Sequence, residues 1–420
     1  MNARTSLVLT ESQETAVTRL FENNATILVA ATGVGKTIIC LTAVQELIEA
    51  GHLKRVIVAC PAKVASTQVW SKDAAKWDHI NLQVEELVGS AAQRLEKLAV
   101  CQAHIIVVSL NNLDWLLQQD HRADGIIVDE LSKAAGRQTV KLKSKKYGAG
   151  LQFRVGLSAT PVSQDFQKLY GMCRIIDNGK ALGTSKQKYL SEFFDSDYLG
   201  YNLTLKGFAD ASIMGRIAPL VHLIKDNKAD VLPKLNEKLI RFDMPDATRD
   251  VYNEMKRHMV IQNRQSSNQA VKSAVLRELA SGFFYTDDGL AITLDRARLD
   301  EAVKWIADLK GRSGLIFYEF IEQREQLERC ELHNVTLAQI QSMSHGVEGL
   351  QHSFADLLFF APVWSRDQSE QSVGRVWRTG QKNPVTVTTL VCNDTLDDLV
   401  LSRVEDRSVW MKLFKQHLGV

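Results

Sequence analysis

Residues 30–37 read Ala-Ala-Thr-Gly-Val-Gly-Lys-Thr and directly follow the apolar run Ile27-Leu28-Val29. The pattern is that of a strand breaking into a glycine turn that opens a helix over 38–50. Thr32, Gly33, Val34 and Gly35 form a turn whose backbone N–H groups can close around an anion at a helix N-terminus, where the dipole favours negative charge. Lys36 then reaches the β- and γ-phosphates of a nucleoside triphosphate, and the Thr37 hydroxyl holds Mg²⁺. The strict pattern has glycine at position 30, where this chain has Ala30. The plainer alternative is a glycine turn before a helix with no ligand.

Three other segments carry chemistry. Ile126-Ile-Val128 is an apolar strand ending in Asp129-Glu130. An aspartate at a strand end beside a phosphate loop can hold Mg²⁺, and the adjacent glutamate can polarise the attacking water. Gly156-Leu-Ser158-Ala-Thr160-Pro161 follows another short strand, and its hydroxyls suit hydrogen bonding to the acidic pair. Gln371-Ser-Val-Gly374-Arg375-Val-Trp-Arg378-Thr-Gly-Gln381 is the sharpest distal signal. On a helix, Arg375 and Arg378 project from one face. Two planar guanidinium groups there suit charge that develops on a γ-phosphate. The alternative is a solvated basic face.

The elements that position these residues follow an alternating rhythm. Strand runs at 27–30, 56–60, 105–109, 126–129 and 153–157 alternate with helical stretches, among them 38–50 and 91–100. Continuous β-branched runs separated by helices indicate a parallel sheet covered on both faces. The rhythm returns at 314–318, 336–341, 356–360 and 385–391. Between lies a polar, mostly helical region, roughly 170–309, with a strand signal at 238–242. The reading is an α/β protein of two lobes with a helical insertion between them.

Composition limits the alternatives. A chain of 420 residues exceeds one ordinary core. Hydrophobic content of 45% and charged content of 24% belong to a soluble globular protein. The six cysteines include no Cys-x-x-Cys pair and the ten histidines form no ligand-spaced cluster, which speaks for a reducing compartment and against a zinc site. No run approaches the ~20 apolar residues of a membrane span. A net charge of +2 carries no bulk nucleic-acid signal. The stretch Lys141-Leu-Lys-Ser-Lys-Lys146 is a local basic candidate, read either as a phosphate contact or as a solvated loop.

Taken together, these motifs resemble the superfamily 2 helicase/translocase ATPases, specifically their Swi/Snf-type branch. Ala31–Thr37 matches motif I, Val56–Pro61 motif Ia, Asp129–Glu130 motif II and Ser158–Thr160 motif III. Gly314–Phe320 matches motif IV, Gly346–Gln351 motif V, and Trp364–Gln381 the segment running into motif VI. Leu232-Pro-Lys with Val251-Tyr252 resembles the stretch after lobe 1, and Thr395-Leu-Asp the opening of the closing helix. The resemblance assigns Gln13 to adenine reading and adds Gly349 and Gln371 to the nucleotide-binding set. Departures include Asp-Glu-Leu-Ser in motif II, with Ser132 in the place of histidine, and Gly349-Leu-Gln-His in motif V. Motifs IV and V are also only about thirty residues apart, which leaves out a strand–helix piece.

The resemblance implies two RecA-like parallel-sheet lobes, one over 1–240 with a helical extension from about 170. The other covers 241–420 with a helical lead-in to about 310. It implies an ATP- and Mg²⁺-dependent translocase tracking DNA, duplex in preference to single strand and RNA less, with no membrane partner. The compact form resembles bacterial and phage members, hence a cytoplasmic setting. The alternatives are a strand-separating DNA or RNA helicase and a weakly hydrolysing nucleotide-gated clamp.

Overall fold

A computed structural model describes residues 8–30, 33–135, 142, 148, 150–159, 166–196, 203–224, 232–258, 260–261, 264–265, 269–330, 333–343, 349–378 and 380–402. The chain divides into two compact units at 226/227.

In the first unit, helix α1 (Glu11–Glu22) precedes β1 (Ala25–Val29), and α2 (Lys36–Glu49) follows it. The sheet is completed by β2 (Val56–Cys60), β3 (Val84–Glu86), β4 (Ile105–Ser109), β5 (Gly125–Val128), β6 (Phe153–Ser158) and β7 (Val221–Leu223). All seven are parallel, in the order β3-β4-β2-β5-β6-β1-β7. Side chains alternate across a strand, and the core divides accordingly. Ile27, Val29, Ile57, Ala59, Ile106, Val108, Ile126 and Val128 join one hydrophobic cluster. Leu28, Val56, Val58, Ile105, Val107, Ile127, Val155 and Leu157 join the other. Apolar on both faces, these strands stay in place only with helices above and below, which is why they read as continuous hydrophobic runs. After β6, helix α3 (Phe166–Asp177) and two shorter helices lead to β7, which lies beside β1.

The second unit opens with β8 (Leu235–Phe242). Helices α4 (Asp246–His258), α5 (Gln269–Ala280) and α6 (Ala297–Asp308) follow. Then come β9 (Gly314–Tyr318), α7 (Ile321–Glu328), β10 (Val335–Gln339), β11 (Asp356–Phe359), α8 (Arg366–Val373) and β12 (Val385–Cys392). Five strands form a second all-parallel sheet, β8-β12-β11-β9-β10. The fold is therefore α/β with two parallel sheets and a mainly helical stretch between them in sequence.

Local differences from expectation are instructive. The strand anticipated at 238–242 begins at Leu235 and pairs with β12 along all eight residues, so it belongs to the second sheet. β3 and β7 had no sequence signal, being three residues each. α2 starts at Lys36, two residues before the expected Ile38, so the phosphate-loop lysine lies in the first helical turn.

Candidate active site

The C-terminal ends of the first sheet's strands gather the expected residues of the first unit. β5 lies beside β6, and β6 beside β1, with Val128 in register with Gly156 and Val29 with Ser158. The segments leaving these ends, 30–37 and 129–130, therefore emerge at one edge, where open parallel sheets bind ligands. Ala30 N–H donates to Ser158 O at 3.1 Å, fastening the start of the loop to the motif III segment.

The described part of the loop, from Gly33 on, turns through left-handed backbone. Gly33 and Gly35 have φ of 83° and 90°, left-handed values that other residues adopt only with strain. A Cβ on Gly35 would also stand 2.5 Å from Gln13 Nε2. That amide donates to Val34 O at 2.8 Å while Gln13 Oε1 accepts from Thr10 N–H at 2.9 Å, so Gln13 is locked against the loop. Lys36 Nζ donates to Ala30 O at 2.6 Å, folding its charge back over the turn. Thr37 is half-buried on the same first turn of α2.

The acidic pair stands across from this lysine. Asp129 N–H is held by Ala59 O at 2.8 Å. Its carboxyl is pushed up to about 6, first by its poorly solvated setting and then by the Glu130 charge, with Lys36 opposing. Burial pushes the Cys40 thiol up, Asp129 adds to that and Lys36 subtracts, so both charges converge on the first turns of α2. The Cys60 thiol, at the end of β2, is raised by burial and by Asp129 in the same way. Glu130 is left-handed at φ 61° and starts a one-turn helix over 131–134, with Oε2 3.8 Å from Lys133 Nζ. Strained backbone of this kind gathers at functional sites.

The described residues contain no group of three or more His, Cys, Asp or Glu that could hold a metal ion. Thr37 and Asp129 nevertheless suit Mg²⁺, which takes one or two protein oxygens and fills its octahedron with phosphate and water. Thr32, Thr160, Gly346 and the lysines of 141–146 lie outside the described residues.

A family model for the SNF2-related domain matches residues 10–282, a span containing Gln13, the phosphate loop, Asp129 and Glu130. The chain belongs to the SNF2-related domain family. It is 26% identical over 419 residues to protein p41 of Acyrthosiphon pisum secondary endosymbiont phage 1, covering 89% of this chain and 90% of p41. It is 18% identical to YqhH of Bacillus subtilis, described as an uncharacterized ATP-dependent helicase, over 94% of this chain and 77% of that one. Among solved structures it is similar to the Sulfolobus solfataricus SWI2/SNF2 ATPase core in complex with dsDNA. That likeness is loose, with 16% identity and a TM-score of 0.46 over 98% of this chain and 93% of that one.

In this SNF2-related chain the distal arginines lie in the second unit, beyond the matched span. They are not on a helix, contrary to the spacing argument. α8 ends at Val373 with Gly374 as its cap, and Arg375–Arg378 run through a turn and a bend. Two burials divert the chain. Val376 is 0% exposed, and the Gln381 amide binds four backbone groups: Phe354 O, Lys382 N–H and Asn383 N–H at 2.9 Å each, and Val376 O at 3.4 Å. Gln371 is buried in α8, and Gly349 stands exposed at φ 89° before a 3₁₀ turn.

Several structural residues gave no sequence signal. Arg154 donates to Leu151 O at 2.8 Å, Ile175 O at 2.7 Å and Gly148 O at 2.5 Å, and at 3.3 Å to the backbone of buried Leu142, inside the lysine-rich stretch. Arg298 donates to Ala280 O, Phe360 O and Leu390 O and pairs with Asp397 at 2.5 Å. Tyr252 Oη accepts from Leu396 N–H at 2.7 Å, joining two segments that the motif comparison had singled out separately.

Proposed function

We propose that this chain is a DNA-dependent ATPase that works as a translocase. The observation that carries this reading is the convergence of Lys36 and Asp129 at the C-terminal edge of the first sheet, beside a glycine turn of phosphate-binding shape. Membership of the SNF2-related family supports the choice of nucleic acid as activator. Backbone N–H groups of 33–36 receive the phosphates, Lys36 leaves Ala30 O to meet the β- and γ-oxygens, and Gln13 is positioned to read the base. Bound Mg²⁺, held by Thr37 and Asp129, would supply charge neutralisation on the phosphate oxygens. Glu130 orients and polarises the attacking water. Arg375 and Arg378 meet the charge developing on the γ-phosphate. The helix at 62–66, at the same sheet edge as motif Ia, carries exposed Lys63 toward a DNA backbone.

The test is ATP turnover with duplex DNA, single-stranded DNA, RNA or nothing added. Duplex DNA is expected to stimulate most, and the stimulation to fall as salt rises, because phosphate contacts release counterions. RNA as the best activator replaces this reading with an RNA helicase. No stimulation by any of the three leaves a nucleotide-gated clamp. Lys36→Ala is expected to cut turnover by at least about a hundredfold. Glu130→Gln should retain ATP binding and stall hydrolysis, and wild-type turnover in that variant would sink the assignment of the acidic pair.

A further inference from the structure

We infer that Trp377 is a positioning residue that keeps Arg375 and Arg378 in register with the stretch by which the chain enters the second unit. Its indole N–H donates to Pro233 O at 2.7 Å, joining positions 144 residues apart. An indole has one donor and no acceptor, so this bond uses its whole hydrogen-bonding capacity. The ring is partly buried against the hydrophobic cluster that contains Val376, Val385 and Val387, as are Leu235 and Val373. Pro233 follows the 226/227 division and immediately precedes Lys234, whose carbonyl accepts Val385 N–H at 2.9 Å where β8 joins β12. Its ring fixes φ, so the acceptor carbonyl sits on a stiffened entry segment.

The arginines need such a fixture because they are on a turn. On a continuous helix, the ladder of backbone bonds would set the direction of residues 375 and 378 together. Here the last helical bond is Trp377 N–H to Val373 O at 2.8 Å, and beyond it the direction of Arg378 depends on what holds Val376 and Trp377. Val376 is anchored in the core, and Trp377 is anchored to Pro233. A displacement of 232–234 therefore reaches the arginines through the Trp377–Pro233 hydrogen bond. The inference rests on the arginines acting at the γ-phosphate, as proposed above. The competing account is a tryptophan that packs and satisfies its donor with no further consequence.

Trp377→Phe in the full chain keeps a ring and deletes the donor. The readouts are kcat and KM for ATP with saturating duplex DNA, and ATP consumed per third strand displaced from a DNA triplex. Mispositioned arginines are expected to lower kcat about tenfold with KM within about twofold, since the loss falls on the transition state. ATP consumed per displacement should rise several-fold. Pro233→Gly keeps the acceptor carbonyl but frees its φ, and should give the same phenotype in milder form. The double variant should be no worse than Trp377→Phe, because the two changes act on one link. Wild-type kcat and coupling in Trp377→Phe overturn the inference. If that variant does not fold, unchanged coupling in Pro233→Gly overturns it alone. A wild-type protein that no nucleic acid stimulates refutes the motor reading instead, and the arginine link is then judged on basal kcat.

Discussion

Asp129 shows how the site's chemistry works against the fold that carries it. A carboxyl raised from 3.8 to about 6 is favoured in its protonated form by the folded state. Stability is therefore lost as pH rises from the unfolded value through the folded one, and at neutral pH the penalty is fully present. Asp129→Asn should accordingly raise the thermal midpoint of the nucleotide-free protein at neutral pH while abolishing turnover. The gain should be on the order of 1 kcal/mol, below what the full shift implies, because the residue is only partly buried. The gap between variant and wild type should narrow as pH falls toward about 5. A variant no more stable than wild type would show that Lys36 already offsets the burial. The residues of this edge were legible in sequence because each motif is a short contiguous run after an apolar strand, and their order repeats a mechanism. Gln13 was legible only through resemblance, and its hold on Val34 O could not have been read from spacing.

At the scale of elements, the second unit is pinned by a buried ion pair. Arg298 and Asp397 have side chains 1% and 5% exposed, and Arg298 also ties α5, the residue after β11, and β12 through three carbonyls. Asp397→Ala would leave a guanidinium buried without a counter-charge, which costs about 3–5 kcal/mol. Among the described residues, none of the hydrophobic clusters draws from both units. Calorimetry of Asp397→Ala should therefore show one transition moving down while another stays, and a single transition that moves as a whole would contradict separate cores. Sequence located β2, β4 and β9 to the residue because each is an uninterrupted buried run. It missed β3 and β7 because three residues carry no period. It missed Arg154 and Arg298 because their partners are carbonyls brought from distant segments, and it placed the arginine pair on a helix because spacing cannot report where a helix stops.

For the whole molecule, Lys36 and Arg378 lie in different units, so no local effect links them. If both serve one phosphate, Arg378→Ala should lower DNA-stimulated turnover by ~10³-fold with little change in ATP affinity, since such a residue acts mainly in the transition state. Lysine at 378 should rescue poorly, because a point charge cannot reproduce the planar fork. DNA binding without nucleotide should survive. Near-normal turnover in the alanine variant would remove Arg378 from the mechanism. The distribution of thiols gives the second unit a single labelling position. Of the six free cysteines, Cys40, Cys60, Cys101, Cys173 and Cys392 are buried, while Cys330, just after α7, is half-exposed. A maleimide dye applied to the native protein should therefore couple once per chain, at 330, and Cys330→Ser should abolish the labelling. A second cysteine introduced on the exposed surface of the first unit would complete a donor–acceptor pair. Energy transfer could then follow each catalytic cycle in single molecules without first stripping the chain of its native sulfur.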